Sequence, residues 1–185
     1  MRKDYGAKPC IYPEPVLIIA TYNEDGTPNA MNAAWGGIHE DTEIGLCLSP
    51  EHKTVKNILA RKAFTVSFAT VETLVGSDYV GIVSGNDVKD KFSKAGFTAV
   101  KSEKVDAPMI KEMPICLECT LKSYTESNCE CIGDIVNLSI DDSILTDGKV
   151  DLKKYHPIIY DGLNHDYLAF GEKVGNAFND GKKLK

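Results

Sequence analysis

The chain has a shortage of positive charge. It holds 21 lysines and arginines against 27 aspartates and glutamates, and its formal net charge is -6. A protein that binds along a nucleic-acid backbone needs a clustered basic surface. The sequence therefore predicts no nucleic-acid partner and favours a soluble protein that binds a small molecule.

Long apolar runs are also missing. The longest, VLIIA at Val16 to Ala20, is far shorter than the roughly 20 residues that cross a bilayer. The opening residues MRKDYGAKPC lack the apolar segment of a secretory signal. We expect no membrane association, a cytoplasmic location and six reduced cysteines.

Several motifs with a defined chemistry do not occur. There is no GxGxxG after a predicted strand, no Walker loop, no GxSxG elbow and no HExxH pair. This excludes a dinucleotide-binding domain of the Rossmann type and gives none of the four histidines a metal-binding arrangement. A nicotinamide substrate, if one is used, must bind on the exposed face of another cofactor.

The order of predicted elements favours a barrel. With 185 residues and 43% hydrophobic content, the chain can bury one core, and it shows no linker, so we expect a single domain over 1–185. Many short strands with interspersed helices suit a closed or nearly closed barrel better than a doubly wound sheet. Alternation and turn residues predict strands at 16–22, 43–49, 64–70, 115–124 and 131–140, helices from 49, over 73–84 and over 87–95, and a surface connection at 100–114 with room for a short strand.

The segment SPEHKT has the order of a helix start. Ser49, Pro50 and Glu51 correspond to an N-cap, a first-turn proline and an acidic second position, so a helix is predicted to begin there. Its free N–H groups and positive dipole end attract an anion, and Lys53 and Thr54 add a cation and a hydroxyl. A phosphate fits this site; an ordinary capped surface helix with a solvated lysine is the alternative.

The preceding segment NAMNAAWGG suits a planar ring. Asn29 and Asn32 alternate with small residues that let a ligand approach the backbone, and Trp35 supplies a broad apolar surface. The alternative is a small-residue strand with its tryptophan in the core. Since a predicted phosphate site follows so closely, we interpret the two segments together as a site for a flavin with a phosphate.

Four cysteines form two close pairs, Cys116-x-x-Cys119 and Cys129-x-Cys131. Four thiolates in two pairs can hold zinc, and a CxxC pair can be redox-active. On a strand, however, residues three apart point to opposite faces, so the first pair cannot readily share a metal. We predict buried thiols and no metal site.

Five segments in order resemble one known family. DG-x-PNAMNAAW, SPEHKT and DKF at Asp90 to Phe92, with EPV from Glu14 and GEKVGNAF from Gly171, are similar to the flavin reductase-like family and, within it, to the flavoredoxins. The resemblance covers nearly the whole chain. It implies a mainly β fold with interspersed helices, a split β-barrel of the FMN-binding type.

The resemblance also implies a set of cofactor contacts. Ser49, Lys53 and Thr54 would contact the phosphate of FMN, Asn32 to Trp35 would line the flavin, and Lys91 would reach it from the following helix. His52 and Lys53 stand where many relatives have an arginine or an aromatic residue. The full predicted FMN-binding set is Asn32, Ala33, Ala34, Trp35, Cys47, Leu48, Ser49, His52, Lys53, Thr54 and Lys91.

The function that the resemblance implies is oxidoreduction through FMN. Hydride or electrons would pass between NADH or NADPH, FMN and an acceptor or redox partner protein, in a homodimer with FMN at its interface. An FMN-binding electron carrier or flavin-storage protein without a substrate site is one alternative, and a split barrel that has lost its cofactor is another. No catalytic acid is assigned, although Asp161, His165 and Tyr167 are candidates for the reactive edge.

Overall fold

The structure is a computed structural model that describes residues 1–185, and it is mainly β with interspersed helices, as predicted. Its strands are β1 (Glu14–Pro15), β2 (Leu17–Tyr22), β3 (Pro28–Ala33), β4 (Gly36–Glu40), β5 (Glu43–Cys47), β6 (Ala63–Phe68), β7 (Ala99–Lys101), β8 (Pro108–Ile110), β9 (Ile115–Thr125), β10 (Glu130–Ile140), β11 (Leu145–Thr146), β12 (Lys149–Val150), β13 (Ile158–Asp161) and β14 (Asp166–Ala169). The α-helices are α1 (Lys53–Arg61), α2 (Leu74–Ile82) and α3 (Lys91–Lys94). Short 3-10 helices cover Glu126–Asn128, Asp142–Ile144 and Asp180–Leu184. No helix combines the length and the apolar character that a membrane crossing requires.

The main sheet is curled. It has seven antiparallel strands in the order β3-β2-β6-β9-β10-β5-β4, so β3 and β4 are its two edges. Only Ala34 and Trp35 separate these edges in the chain, and such a link spans at most about 11 Å. A flat seven-stranded sheet would hold its edges about 29 Å apart. The sheet must therefore close on itself, and because β3 and β4 do not pair, the barrel is split at this place, which we call the seam.

Two apolar cores lie on the two faces of the sheet. Leu17 and Ile19 point into the curled sheet with Phe64, whereas Val16 and Ile18 belong to a second core outside it, beneath α2 and α3. Both faces of β2 are thus buried, which explains why VLIIA is continuously apolar. The turn residues NEDG at 23–26 predict that this strand belongs to a hairpin, and the pairing of β2 with β3 confirms it.

Helix α1 begins four residues later than predicted. The His52 N–H donates to the Ser49 carbonyl at 3.2 Å and closes a turn, and the Val55 N–H then reaches back to His52, which is the N-cap. Pro50 thus occupies the second position of a turn, which it favours as much as a first helical turn. The prediction that Ser49 caps this helix is wrong.

Three other segments differ from their predictions. Of the predicted helix over 87–95 only α3 is helical, although Gly96 follows it at φ +79 as the expected cap. The segment 100–114 does hold a short strand, β8, but this strand pairs with β7, and the segment buries Ile110 and Met113 instead of running over the surface. The stretch after residue 156, which has no clear periodicity, forms the hairpin of β13 with β14. These strands have three or four residues, too few for alternation to identify them.

Candidate functional site

A cavity of about 670 Å³ lies at the seam. Ala34, Trp35 and Cys47 line it, and the Cys47 N–H donates to the Trp35 carbonyl at 2.9 Å. The Trp35 side chain is 56% exposed, so the alternative of a core tryptophan is wrong. Three residues of the predicted FMN-binding set therefore share one cavity, which we call the seam cavity.

The N-terminal segment forms the opposite wall of this cavity. Pro9, Cys10, Ile11 and Pro13 line it, yet residues 1–13 take part in no backbone–backbone hydrogen bond. The segment is held by its side chains instead. The residue that anchors it is Tyr12, whose hydroxyl donates to the carboxylate of the last residue of β13.

That carboxylate belongs to Asp161, and the hydrogen bonds that it accepts favour its ionised form. Besides the Tyr12 hydroxyl, it accepts from the Leu163 N–H at 3.0 Å and from the Asn164 side chain at 2.6 Å. The bonds from Tyr12 and then Asn164 lower the pKa of Asp161 to about 2. The same contact raises the pKa of Tyr12 to about 12. Asp161 is thus an anchor of the wall and does not line the seam cavity.

A second cavity, of about 310 Å³, lies on the other side of Ala34. Asn32 lines it and donates its side-chain amide to the Ser77 carbonyl at 3.1 Å. His165 and Tyr167 line the same cavity, and their role at a reactive edge stays a prediction. The Tyr167 hydroxyl donates to Asp78 at 2.8 Å, and burial followed by this bond raises the pKa of Tyr167 to about 12, so the phenol keeps its proton at neutral pH.

The start of α1 is suited to an anion. The N–H groups of Lys53 and Thr54 have no acceptor within the chain, and the first turn contains no acidic residue. The buried Thr54 hydroxyl accepts from the Asn29 amide at 2.8 Å, which docks this end of the helix onto β3. The Lys53 side chain lines a polar cavity with Asn86, away from the seam cavity.

Lys91 lies apart from all of these residues. It is 3% exposed, and its ammonium donates to the carbonyls of Val80 at 3.2 Å and Val83 at 2.8 Å, where α2 ends. Burial lowers the pKa of Lys91 to about 8. The structure therefore gives Lys91 a structural contact, and its predicted reach to the cofactor stays a prediction.

The remaining residues of the predicted FMN-binding set lie between the seam cavity and the start of α1. Leu48 is buried, and its N–H and carbonyl pair with Cys129 and Tyr124. Ala33 ends β3, while Ser49 is half-buried and His52 is exposed in the turn before α1. The eleven residues thus do not surround one cavity: they follow the seam from the start of α1 to Trp35, with Lys91 outside.

Three of the four thiols in the two close pairs are buried, as predicted, and poorly reactive, whereas Cys129 is half-buried. Ile115 to Thr125 is a strand, as the parity prediction assumed, and burial raises the pKa of Cys116 and of Cys131 to about 11 and also raises that of Cys119. Nowhere in the chain do three or more histidine, cysteine, aspartate or glutamate side chains form a group that could hold a metal.

Sequence reasoning missed Glu14. This residue is part of the lining of the seam cavity but is only 2% exposed. Its carboxyl lies beside Gly162, and its buried Oε2 atom has no hydrogen-bond partner. The motif EPV marks this position, but nothing in three letters shows that the carboxyl is buried without a partner. His39, which also lines the cavity, carried no signal either.

The family model described as the flavin reductase like domain matches residues 10–161. The chain belongs to the flavin reductase-like family. The matched range of this flavin reductase-like chain includes the N-terminal wall from Cys10 onward, the seam, α1 and Asp161, and the predicted resemblance is confirmed.

Two solved flavoredoxin structures are similar to this flavin reductase-like protein over their whole length. Flavoredoxin of Desulfovibrio vulgaris (Miyazaki F) is 37% identical, with 98% of this chain and 100% of that chain covered and a TM-score of 0.92. Flavoredoxin from Methanosarcina acetivorans is 27% identical, with both chains covered in full and a TM-score of 0.88. A protein of Aquifex aeolicus is 29% identical over 172 residues, 88% of this chain and 87% of that one. The predicted split-barrel fold is confirmed.

Proposed function

We propose that this flavin reductase-like protein binds FMN and transfers hydride or electrons between NAD(P)H, FMN and an acceptor. One observation carries the proposal. The anion-attracting start of α1 is docked at Asn29, and the exposed Trp35 lies six residues further along the seam, about 20 Å away in an extended chain. An extended FMN molecule carries a phosphate at one end and a planar ring at the other, over a comparable length.

The residues present fit this cofactor. The free N–H groups of Lys53 and Thr54, together with the Lys53 ammonium, would hold the phosphate, and Trp35 and Cys47 would contact the ring in the seam cavity. When bound, FMN would supply the redox chemistry, so the protein has to bind it, orient it and admit a second substrate. A structure titled as an FMN-binding domain of a flavin reductases-like enzyme, from Shewanella baltica, shares the fold at 19% identity and a TM-score of 0.79.

The phosphate placement has a direct test in the comparison of FMN with riboflavin, which lacks the phosphate. For Lys53→Ala we expect FMN affinity, measured by titration of flavin fluorescence, to fall about tenfold, or about 1.4 kcal/mol, while riboflavin affinity is unchanged. Lys56→Ala is the control, because Lys56 lies on the same helix and contacts Asn86. Equal losses for both flavins, or no loss of FMN affinity, would show that the phosphate binds elsewhere.

The similarity to two flavoredoxins also favours a second candidate function, that of an FMN-binding electron carrier without a substrate site. Steady-state oxidation of NADH or NADPH with excess free FMN separates the two. Turnover supports the oxidoreductase, whereas tight FMN binding without turnover supports the carrier.

We also propose a homodimer with FMN at its interface. An apolar cavity of about 510 Å³ includes Ile38, Leu138 and Phe170, which are 71%, 52% and 52% exposed. Exposed apolar surface of this kind, next to the seam through Ile38 on β4, is typical of a protein interface. Light scattering coupled to size exclusion, with and without FMN, tests this proposal, and a monomer under both conditions contradicts it.

A further inference from the structure

The segment after β14 exposes three large apolar side chains. It covers residues 171–185, GEKVGNAFNDGKKLK, and we call it the arm. Val174, Phe178 and Leu184 are fully or almost fully exposed, and none of them belongs to an apolar core. Single apolar residues are common on protein surfaces, but three within eleven residues form a segment whose apolar surface is all in water. The arm is therefore a candidate for contact with another surface.

The arm has a structure of its own, although the rest of the chain does not hold it. The Asn176 N–H donates to the Asp180 carboxylate at 2.7 Å, and the Asp180 N–H donates to the Asn176 carbonyl at 3.1 Å. Phe178 lies in this closed loop at φ +59, a backbone conformation that is strained for a bulky residue. The hydrogen bonds and ion pairs of residues 171–185 all begin and end within the arm. Contacts within one chain therefore do not explain why Phe178 is held out in water.

The apolar cavity of about 510 Å³ has a lining that matches these side chains. Proline, tyrosine, phenylalanine and aliphatic residues alone form it, and the exposed Ile38 and Leu138 are among them. Phe170, the residue before the arm, is part of the lining, whereas no residue of the arm is. The arm thus leaves from the edge of the cavity without entering it. Both the cavity and the arm expose apolar surface to water, and both lack a partner in one chain.

The charges of the arm and of the surroundings of the cavity are complementary. The arm holds four lysines against two acidic residues, a formal charge of +2, which leaves -8 for the rest of a chain whose total is -6. Exposed acidic residues follow strands that line the cavity: Glu40 comes soon after Ile38, and Asp141 and Asp142 come directly after Ile140. Opposite charges of this kind favour the association of the two surfaces.

We propose that the arm of each copy fills the apolar cavity of a second copy, with Phe178 as its central contact. The proposal deepens the homodimer of the proposed function, on which it rests. Because the arm begins at the cavity, a two-fold axis can place each arm on the other copy's cavity in one self-complementary interface. The stretch from Phe170 to Phe178 spans at most about 29 Å, which lets the arm cross to a second copy.

The surface that this exchange buries is sufficient for a stable dimer. Burial of Phe178 alone removes about 150–250 Å² from water. Two arms, with Val174 and Leu184 and with the cavity surface that they cover, are on the order of the 1,200–2,000 Å² of a stable interface.

The experiment uses one variant on each side of the contact. Phe178→Ser removes the apolar tip of the arm, and Leu138→Arg places a charge in the cavity; both side chains are exposed, so neither change should prevent folding. Val75→Ser is the control, because Val75 is an exposed apolar residue on α2, away from the cavity. Sedimentation velocity gives the dissociation constant of each dimer, and the visible spectrum with FMN is recorded on the same samples.

We expect a dimeric native protein, and we expect Phe178→Ser and Leu138→Arg each to raise the dissociation constant of the dimer at least about tenfold. Val75→Ser should change it less than about twofold. An equimolar mixture of the first two variants distinguishes exchanged arms from arms that fold back onto their own cavity. In exchange, the mixed dimer keeps one intact arm on one intact cavity, so it should form about tenfold more tightly than the dimer of either variant alone.

Four results would overturn the proposal. The native protein is monomeric at about 50 μM, either Phe178→Ser or Leu138→Arg keeps the native dissociation constant, the mixture dimerises no more tightly than its components, or Val75→Ser weakens the dimer as much as the other two variants do. A native dimer that both variants leave intact would show that another surface forms the interface. Failure of FMN binding looks different, since the visible spectrum of FMN would then stay that of free flavin whatever the dissociation constants are.

Discussion

At the scale of single residues, Asp161 does more than end the four-residue strand β13: it connects two parts of the chain. It joins the N-terminal segment to the hairpin of β13 with β14 by accepting from Tyr12, Leu163 and Asn164. All of these bonds favour the ionised carboxylate. The attachment of the N-terminal wall is therefore linked to pH.

This linkage predicts a loss of stability in acid. Because the pKa of Asp161 is about 2 in the folded protein and near 3.8 otherwise, the unfolded chain binds more protons between these values. Stability contributed by Asp161 is complete above about pH 4 and decreases as the pH falls towards about 2. Urea midpoints measured between pH 5 and pH 2 should fall less steeply for Asp161→Asn than for the native protein.

The matched control for this prediction is Asp166→Asn. Asp166 lies opposite Asp161 in the hairpin but its carboxylate makes no hydrogen bond within the chain. The native slope should be kept in this variant. If Asp161→Asn keeps the native slope as well, its hydrogen bonds do not control the acid response.

The residue types in the sequence indicate where a candidate site lies, but they do not show whether each side chain is buried or what it contacts. Small residues and Trp35 in NAMNAAWGG predicted a ligand-facing segment, and the structure places Ala34 and Trp35 in a cavity. The sequence could not show that Glu14 is buried, because its burial depends on β13, a strand about 145 residues away. It also could not show that Lys91 bonds to α2, since that contact depends on how two helices pack.

At the scale of elements, the end of α2 depends on a side chain from α3. The last carbonyls of a helix have no partner within it and attract a cation. Lys91 occupies this position for Val80 and Val83, and no basic residue lies in the last turn of α2 itself. The contact ties two short helices together over the outer core.

Loss of this contact should loosen α2. For Lys91→Met we expect the free energy of unfolding to fall by about 1–3 kcal/mol, because two carbonyls lose their donor while the apolar stem is kept. Hydrogen exchange of amides near the end of α2 should become faster. Lys94→Met is the control: its ion pair with Asp90 is exposed, so the change should stay within about 0.5 kcal/mol. Equal effects of the two variants would contradict the structural role of Lys91.

Elements with strong local signals were predictable, and those that depend on distant partners were not. The DG pair at Asp147 and Gly148 predicts a tight hairpin turn, and the structure shows it there, with positive φ values, between β11 and β12. By contrast, capping residues placed the start of α1 at Ser49, and the chain uses the same residues for a turn. Thr54, in the first turn of the helix that forms, is hydrogen-bonded to Asn29 on β3, a contact that no local signal indicates.

At the scale of the whole molecule, closure of the barrel brings the first residue of β4 against the interior. A Cβ atom on Gly36 would lie 2.6 Å from Leu46 Cδ2, 2.9 Å from Leu17 Cδ1 and 3.0 Å from the Gly45 carbonyl. The two leucines belong to the core inside the curled sheet. The sheet can therefore curl up to the seam only because Gly36 has no side chain.

Gly36→Ala should therefore strain the closure. We expect the free energy of unfolding to decrease by about 1–3 kcal/mol through overpacking, with a shift in Trp35 fluorescence because the neighbouring link moves. Gly37→Ala is the matched control, since a Cβ atom there meets nothing within 4 Å. Guanidinium unfolding of both variants tests this, and a Gly36→Ala protein as stable as Gly37→Ala would show that the seam adapts without strain.

The fold class was predictable because a barrel needs only many short strands, few helices and turns between them. The strand order was not predictable. Two helices and a hairpin separate β6 from β9 in the chain, and nothing in the sequence of either strand identifies the other as its partner. Closure itself follows from a single fact of connectivity, the two-residue link between the edges. That fact becomes visible only once the order is known.

The two sides of the seam cavity differ in how their backbone is held in place. The barrel side is fixed by the ladders of the main sheet, whereas residues 1–13 take part in none of them. A molecule can therefore enter or leave by displacing a short stretch of chain, and every strand keeps its pairing throughout. The only hydrogen bond from this stretch to the rest of the chain joins the Tyr12 hydroxyl to the Asp161 carboxylate, so its displacement breaks a single polar contact.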